Sequence, residues 1–400
     1  MADAHVLAAI TDCPYHQGGD ERKSTGAPRS APGAIVIGSF GLSRQILRSG
    51  LVRQAGFNAE LLERFAAGGH APVLYQEGEA HQKQRSASAR FFAPKIVATQ
   101  YRALMERLSD ALIARLLTTR RAHLDRMSLE IAVAVAAEIV GLTNSPRSGM
   151  AQRLSRFFAT KARDRNPVTA FVTFLLARTS VLWFFIRDVA PAIRARRRSP
   201  RDDVISHLIG QGYSNREILT ECLTYAAAGM VTTREFIVMA AWHLFEREEL
   251  KARFLGTDET GRIAILEEIL RLEPVVGVLY RRAAHELTFE VSGEVLHIPA
   301  ESLLALDVRG TNTDRAAAGE CPFELDPDRA RVGVNQSASV MSFGDGPHRC
   351  PGAAVALQEA AIFLDRLLRV PGVKLQKAPA LAFNPLIASY ELRGAIVAID

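Results

Sequence analysis

The segment Phe343-Gly-Asp-Gly-Pro-His-Arg-Cys-Pro-Gly352 brings a single cysteine, Cys350, from a glycine-permitted loop to the start of a helix that the apolar spacing predicts from about Ala353 to Leu368. Free N–H groups and the positive end of the helix dipole at such a place favour a thiolate. A thiolate is what haem iron takes as an axial ligand, where it donates electron density and favours O–O cleavage, and N–H donors around the sulfur tune that donation. By itself, a cysteine among glycines is more often a buried thiol than a ligand. Other pairs are spaced for chemistry. His81 and Arg85, four apart, share one helix face and could together reach a carboxylate pair, although the same spacing suits an ordinary amphipathic surface. Glu268 and Arg271, three apart, can pair on a helix, a contact that contributes little when exposed. Thr232, in Ala228-Gly-Met-Val-Thr-Thr233, can return its hydroxyl to its own helix carbonyl one turn back.

The cysteine loop matches at every fixed place the haem-binding signature Phe-Gly-x-Gly-x-His-x-Cys-x-Gly, and the sequence resembles the cytochrome P450 family, in its bacterial soluble class. Further marks appear in order from about residue 35 onward. His81 and Arg85 resemble the His-x-x-x-Arg that contacts haem propionates, and Glu268-Ile-Leu-Arg271 looks like the Glu-x-x-Arg of the family. Arg281, before Ala283, stands where another propionate-binding arginine is expected, and Phe323 to Arg329 resembles the meander that closes the Glu-x-x-Arg network. Ala228 to Thr233 is similar to the oxygen-binding helix segment, in which Ala228 and Gly229 let the helix lie against haem and Thr232 and Thr233 stand at the proton-relay position. The acid that normally precedes the threonine is replaced by Val231.

The resemblance implies a mainly helical P450 fold with a small β region, binding one haem b (iron protoporphyrin IX) through Cys350. Arg281 and His348 would join His81 and Arg85 on the propionates, Phe343 would pack against the ligand loop, and Glu268 and Arg271 would hold the haem-side core. By position, Ala227, Ala228, Val276, Val278, Leu279, Leu386 and Ile387 would line the substrate site. All are apolar, which suits a terpenoid or steroid first and a fatty-acyl or polyketide-like compound next. The implied reaction is monooxygenation with O2 and two electrons from a ferredoxin fed by an NAD(P)H reductase. No flavin or dinucleotide fingerprint follows the haem region, so a separate donor is expected, and Lys83, Arg90 and Arg349 near the thiolate face would suit an acidic one. The missing acid keeps open a P450-type enzyme with peroxide-driven or non-hydroxylating chemistry such as desaturation, coupling or isomerisation. A haem-binding sensor without turnover is the remaining alternative.

The elements that must position these residues fall in order along the chain. Residues 1–33, rich in Gly, Pro, Ser and charge, read as a flexible leader that settles near Ala34, and 34–400 reads as one haem domain. Helical periodicity dominates to about residue 270, in Leu104–Leu117, Met127–Val140, Asn215–Leu250 and Ile263–Leu272. Short alternation then predicts strands at Leu287–Val291 and Glu294–Ile298 across a Ser292-Gly293 turn, with more short strands after Pro371.

Over 400 residues, 48% hydrophobic and 23% charged content excludes wholesale disorder and a disulfide-stapled miniprotein. A net charge of +6 with only 7% aromatic residues gives no stacking platform for nucleic acid. Four scattered cysteines fit neither a disulfide framework nor paired zinc ligands, and point to a reducing cytoplasm. Cys222 reads as core, and Cys13 with His16 lacks a second pair. The apolar run 170–190 is interrupted by Arg178, Arg187 and Asp188, so it reads as a buried or surface-docked helix rather than a span. The basic run Arg194, Arg196, Arg197, Arg198 and Arg201 reads as a solvated loop, and the expected state is a monomer.

Overall fold

The computed structural model describes residues 30–57, 71–146, 149–154, 178–291, 293–329 and 340–400. Most of the expected leader, the Cys13 and His16 pair, residues 170–177 and the end of the irregular passage at 330–338 lie outside them. The chain enters through β1 (Ile35–Ile37), α1 (Phe40–Arg48) and β2 (Val52–Gln54), then α2 (Gly78–Ala89), α3 (Arg102–Thr119), β3 (Arg121–His123) and α4 (Leu124–Val140). After α5 (Ala190–Arg198) and α6 (Val204–Gly210), α7 (Asn215–Tyr225) runs through a wide π turn, Ala226–Val231, into α8 (Thr232–Glu246). Next come α9 (Glu248–Gly256), α10 (Glu259–Leu272), β4 (Val278–Ala283), β5 (Leu287–Val291), β6 (Glu294–Ile298) and β7 (Leu303–Asp307). The chain closes with α11 (Ala353–Leu368), β8 (Val373–Lys377), β9 (Ala380–Asn384), β10 (Ser389–Arg393) and β11 (Ile396–Ile399).

Local chemistry sets these limits. At the start of α7 the Ser214 hydroxyl accepts from the Glu217 amide while Glu217 accepts from the Ser214 amide at 2.7 Å, a reciprocal cap. α4 ends on Gly141 at φ +98°, a left-handed position that glycine takes without Cβ strain. Apolar faces of α4, α8, α10 and α11 meet in the main core, where Ile131, Val135, Ile237, Ala241, Ile269 and Phe363 are fully buried. The sheets are peripheral: a four-stranded β1-β7-β4-β2, a three-stranded β3-β11-β8, and the two hairpins β5-β6 and β9-β10. Among the described residues only β1 and β7 pair parallel, with Ile35 opposite Leu304.

Four expectations change. The helix expected over Asn215–Leu250 stops at Glu246, because Arg247 turns to extended backbone (φ −119°, ψ 95°) and Leu250 belongs to α9. The helical first two thirds also supply strands β1, β2 and β3, each only three residues long and too short to leave an alternation signal. The basic run is not a solvated loop: four of its arginines lie on α5, and Arg196 is 3% exposed, bonded to Asp203, to the Gly141 carbonyl and to Thr143. A buried guanidinium needs this set of acceptors, and Asp203 caps α6 at the same time. The body is also reached earlier than Ala34, since the Ala31 amide donates to the Tyr280 hydroxyl at 3.0 Å.

The deepest polar cluster is built on α10. Arg271 has no exposed surface; its Nε and Nη2 donate to Glu268 at 2.8 and 2.7 Å, Nη1 to the Asn312 and Pro322 carbonyls, and Nη2 also to the Glu324 carbonyl. Glu268 in turn accepts from the Asp326 amide and from Arg329 Nε, both at 3.1 Å. Asn312 carries the link onward: its Nδ2 donates to the Ser342 hydroxyl at 2.7 Å and its Oδ1 accepts from the Met341 amide at 2.8 Å. The cysteine loop therefore starts from a point fixed by α10.

The C-terminal hairpin is fastened in the same manner. Glu235 of α8 accepts from the Leu392 amide at 2.8 Å and from Arg393 at 2.7 Å. At the turn, the Gly277 amide donates to the Ile387 carbonyl at 2.9 Å, and a Cβ on Gly277 would come within 2.2 Å of the Ala388 carbonyl oxygen.

Removing either partner of the buried pair leaves a charge without its counterion, which costs roughly 3–5 kcal/mol. Glu268→Ala and Arg271→Ala are each expected to lower folded, haem-loaded yield and the unfolding midpoint, measured by thermal melting. Normal yield and melting would show the pair to be dispensable. A second prediction concerns pH. Burial raises Glu359 of α11 to about 8 and Glu221 of α7 to about 7, and each has one oxygen without a hydrogen-bond partner. Both carboxyls keep a proton in the folded chain where the unfolded chain has released it, so they subtract stability as pH rises above the ordinary carboxyl value. Glu359→Gln should therefore stabilise at about pH 8.5 by roughly 2–4 kcal/mol and be near neutral at about pH 4.5. Denaturant unfolding at both pH values checks this, and an equal effect at the two would contradict it.

Candidate active site

Cys350 lies two residues before Gly352, the N-cap residue of α11. The loop that carries it closes on itself, with the Cys350 amide donating to the Phe343 carbonyl and the Gly344 amide to the Met341 carbonyl, both at 2.8 Å. Two glycines are required by geometry. Gly344 has φ +70°; Gly346 has φ +66°, and a Cβ there would stand 2.3 Å from the Leu47 carbonyl oxygen. Asp345, between them, is held by Arg48 of α1 through Nε at 2.9 Å and Nη2 at 2.8 Å, with Arg44 at 3.3 Å. Phe343 is partly buried against the main core.

The sulfur's surroundings pull in two directions. Desolvation pushes the Cys350 thiol up, while the Gly352 amide and the charges of Arg85 and Arg349 pull it down, and the upward effect prevails. The expected thiolate preference is thus not met by the protein alone: the helix start and the two arginines do not offset burial. A cation at the sulfur would supply the missing stabilisation, because metal coordination releases the thiol proton.

Around this loop the other expected residues converge. From α2, Arg85 donates through Nη2 to the Arg349 carbonyl, next to the cysteine. His81, 3% exposed, stacks on His348 with ring centroids 4.0 Å apart, and its Nε2 is buried with no hydrogen-bond partner. Desolvation, with the nearby His348 and Arg85, lowers His81 to about 4, so it is neutral at pH 7. Arg281, on β4, is 5% exposed, gives Nη1 to the Tyr280 carbonyl at 2.8 Å, and is lowered by desolvation to about 10. Among the described residues neither Arg85 nor Arg281 has a carboxylate at ion-pair distance, whereas Glu77 reaches His348 at 3.1 Å. Glu77 is a member of the cluster that the sequence reading missed; a lone acid one residue before α2 carries no motif.

The helix segment Ala227–Thr233 is sorted by burial. Ala228 is exposed and Ala227, Gly229 and Thr232 are partly exposed, while Met230, Val231 and Thr233 are buried. A side chain at Gly229 would meet Ala136 of α4 at 3.9 Å, so Gly229 faces α4 and Ala228 carries the open surface. The Thr232 hydroxyl donates to the Ala228 carbonyl at 2.5 Å, the local back-bond that its mid-helix position allows. Of the expected lining residues, Ala227, Ala228, Val276, Leu279 and Leu386 keep exposed surface. Val278 is buried with Ala305 and Ala388, and Ile387 is buried in the main core. Leu279 packs against the second core on the opposite face of β4, where a Cβ on Gly344 would be 3.8 Å from it. Strand alternation places Val278 and Leu279 in different packing clusters on the two faces of β4.

One thiol at a helix start, two arginines with no carboxylate at ion-pair distance among the described residues, a buried histidine nitrogen without an acceptor there and a small-residue helix face form a donor set suited to an iron macrocycle bearing two carboxylates. The comparisons agree. Residues 263–382 match the family model described as Cytochrome P450. The chain is 27% identical over 355 residues to cytochrome P450 107B1 of Saccharopolyspora erythraea, covering 86% of this chain and 80% of that one. It is 30% identical over 191 residues to the mycinamicin IV hydroxylase/epoxidase of Micromonospora griseorubida, 46% of this chain and 45% of the relative. Among solved structures, CalO2 superposes with a TM-score of 0.76 over 93% of this chain and 92% of its own, at 21% identity, a likeness of fold. The cysteine loop, the family-model match and the sequence relatives together support a bacterial cytochrome P450, a family of haem-thiolate monooxygenases.

Proposed function

We propose that this P450 inserts one oxygen atom from O2 into an apolar organic substrate, with Cys350 as the thiolate that would hold the haem iron and a ferredoxin as electron donor. The observation that carries the reading is the convergence of Arg85, His81, His348 and Arg281 around the Cys350 loop. Bound haem supplies the oxygen activation. Cys350 holds it through Sγ, with the Gly352 amide aimed at the sulfur. Arg85 and Arg281, with His348 and His81, bind the two propionates by charge and by single N–H donors. Ala227 and Ala228 keep the opposite wall low, and Val276 and Leu386 add apolar surface, which favours a substrate without ionised groups. A terpenoid or steroid fits this lining. The hydroxylase/epoxidase relative supports hydroxylation or epoxidation as the outcome. Exposed Lys83, Arg90 and Arg349 favour an acidic ferredoxin. Among the described residues no helix is long and apolar enough to cross a membrane.

The helix wall favours a second reading as well. Val231 is 3% exposed and apolar where an acid would carry protons, and the Thr232 hydroxyl is already engaged by Ala228. Proton supply at Thr232 Oγ1 then depends on water or a substrate hydroxyl, and an enzyme fed by peroxide would not need it.

Cys350→Ala is expected to abolish the red-shifted Soret band of the reduced carbon monoxide complex, while Cys222→Ala and Cys321→Ala keep it; any other pattern moves the ligand elsewhere. Thr232→Ala should raise peroxide release and lower the share of electrons reaching product several-fold, read from NAD(P)H consumed, peroxide and product. Unchanged coupling, together with faster product formation from added peroxide than from a ferredoxin system, would favour the peroxide-driven reading.

A further inference from the structure

Glu77 is an acid inside a cluster built of cations. It is the N-cap residue of α2, yet its side chain caps nothing there. Instead Oε1 accepts from the Gln54 amide at 2.6 Å, and Oε2 accepts from His348 Nε2 at 3.1 Å. Gln54 stands opposite Arg281 in the β2–β4 register, so the carboxylate is set against the same strand pair that carries the buried arginine. The field of Arg281 acts on Glu77: burial would raise its carboxyl, but hydrogen bonds from His348 and Gln54 and the charges of His348 and Arg281 outweigh burial and lower it. Glu77 is therefore ionised at pH 7. Its side chain is 39% exposed, against 9% for His348, so it has a way out to water that its partner lacks.

Taking the assignment of this cluster to the haem propionates, we infer that Glu77 is an internal rival of one propionate for His348 and for the field of Arg281, and that it weakens haem retention. The balance follows from counting charges. Arg85 and Arg281 match two propionates, and a third carboxylate in the same place must either hold His348 for itself or withdraw to solvent. A part of the attraction that would retain the group is spent on the protein's own side chain. Retention, rather than the redox chemistry, is the property this residue sets.

The test is haem transfer from the holoenzyme to an excess of a haem-scavenging acceptor protein, followed by Soret absorbance, for the parent chain and Glu77→Gln. Gln keeps an acceptor for the Gln54 amide and removes the charge. Slower haem loss in Glu77→Gln, by roughly 3–10-fold, is expected from the loss of one partly exposed charged rival. A supporting, purely structural role for Glu77 has the opposite sign: unchanged or faster loss overturns the inference. Should Glu77→Gln fail to accumulate, Glu77→Asp, which draws the carboxylate back from His348 by one methylene, is read by the same criterion. The reduced carbon monoxide spectrum of each holoenzyme separates the two levels. If the thiolate band is present and only the transfer rate disagrees, the rivalry is wrong; if the band is absent from the parent chain, the haem assignment itself is wrong.

Discussion

A guanidinium with no exposed surface must find acceptors inside the protein, and Arg271 finds its acceptors in Glu268 and in three backbone carbonyls from segments far along the chain. That requirement fixes the structure around it. The Asn312 carbonyl ends a short helix, Val308–Asn312, while those of Pro322 and Glu324 belong to an irregular stretch without a ladder of its own, whose course is held by the side chain it surrounds. Asn312 then passes the constraint to Met341 and Ser342, from which the cysteine loop departs. The other end of the loop is α11, and its middle is pinned to α1 through Asp345 and Arg48. Cys350 is thus located by three anchors that come from different parts of the fold.

The electrostatics follow from burying so much positive charge with so little opposing charge. Arg281 and Cys350 are each displaced from their ordinary behaviour chiefly by desolvation, and in opposite senses: the arginine is pressed toward losing its proton, the thiol toward keeping it. A group that brings both a cation for the sulfur and anions for the arginines relieves both at once. This explains why the cluster is consistent with haem as a whole and would be a poor site for a bare metal ion, and no grouping of acids, histidines and cysteines suited to one occurs among the described residues.

Much of this was legible in the order of residues. The loop around Cys350 announces itself because positive φ at Gly344 and Gly346 leaves few alternatives to glycine, and the Glu268 and Arg271 spacing marks a pair on one helix turn. The hairpin β5-β6 was readable from alternation to the residue. What escaped is instructive. Asn312 bonds Ser342 30 residues away and Glu77 bonds His348 271 residues away, and neither sits in a repeating pattern. Arg196 looked like one of several exposed arginines, because helix phase and Asp203 together decide which of the five is buried. Val278 and Leu279, neighbours in β4, pack into different clusters, a division that their shared apolar character does not reveal.

The hairpin at the end of the chain has one more implication. Its turn, residues 385–388, is closed at its base by the pairing of Asn384 with Ser389 and held from outside by the Gly277 N–H hydrogen bond to the Ile387 carbonyl. A segment clamped at both ends behaves as an exchangeable cassette. Changes of side chain at Leu386 stay local, since the clamps act through backbone groups that any residue supplies, whereas changes of length have nowhere to go except into the turn itself. Variation in substrate choice among descendants of this chain would then accumulate most cheaply in the composition of those few positions, with the helical frame and the cysteine loop left as they are.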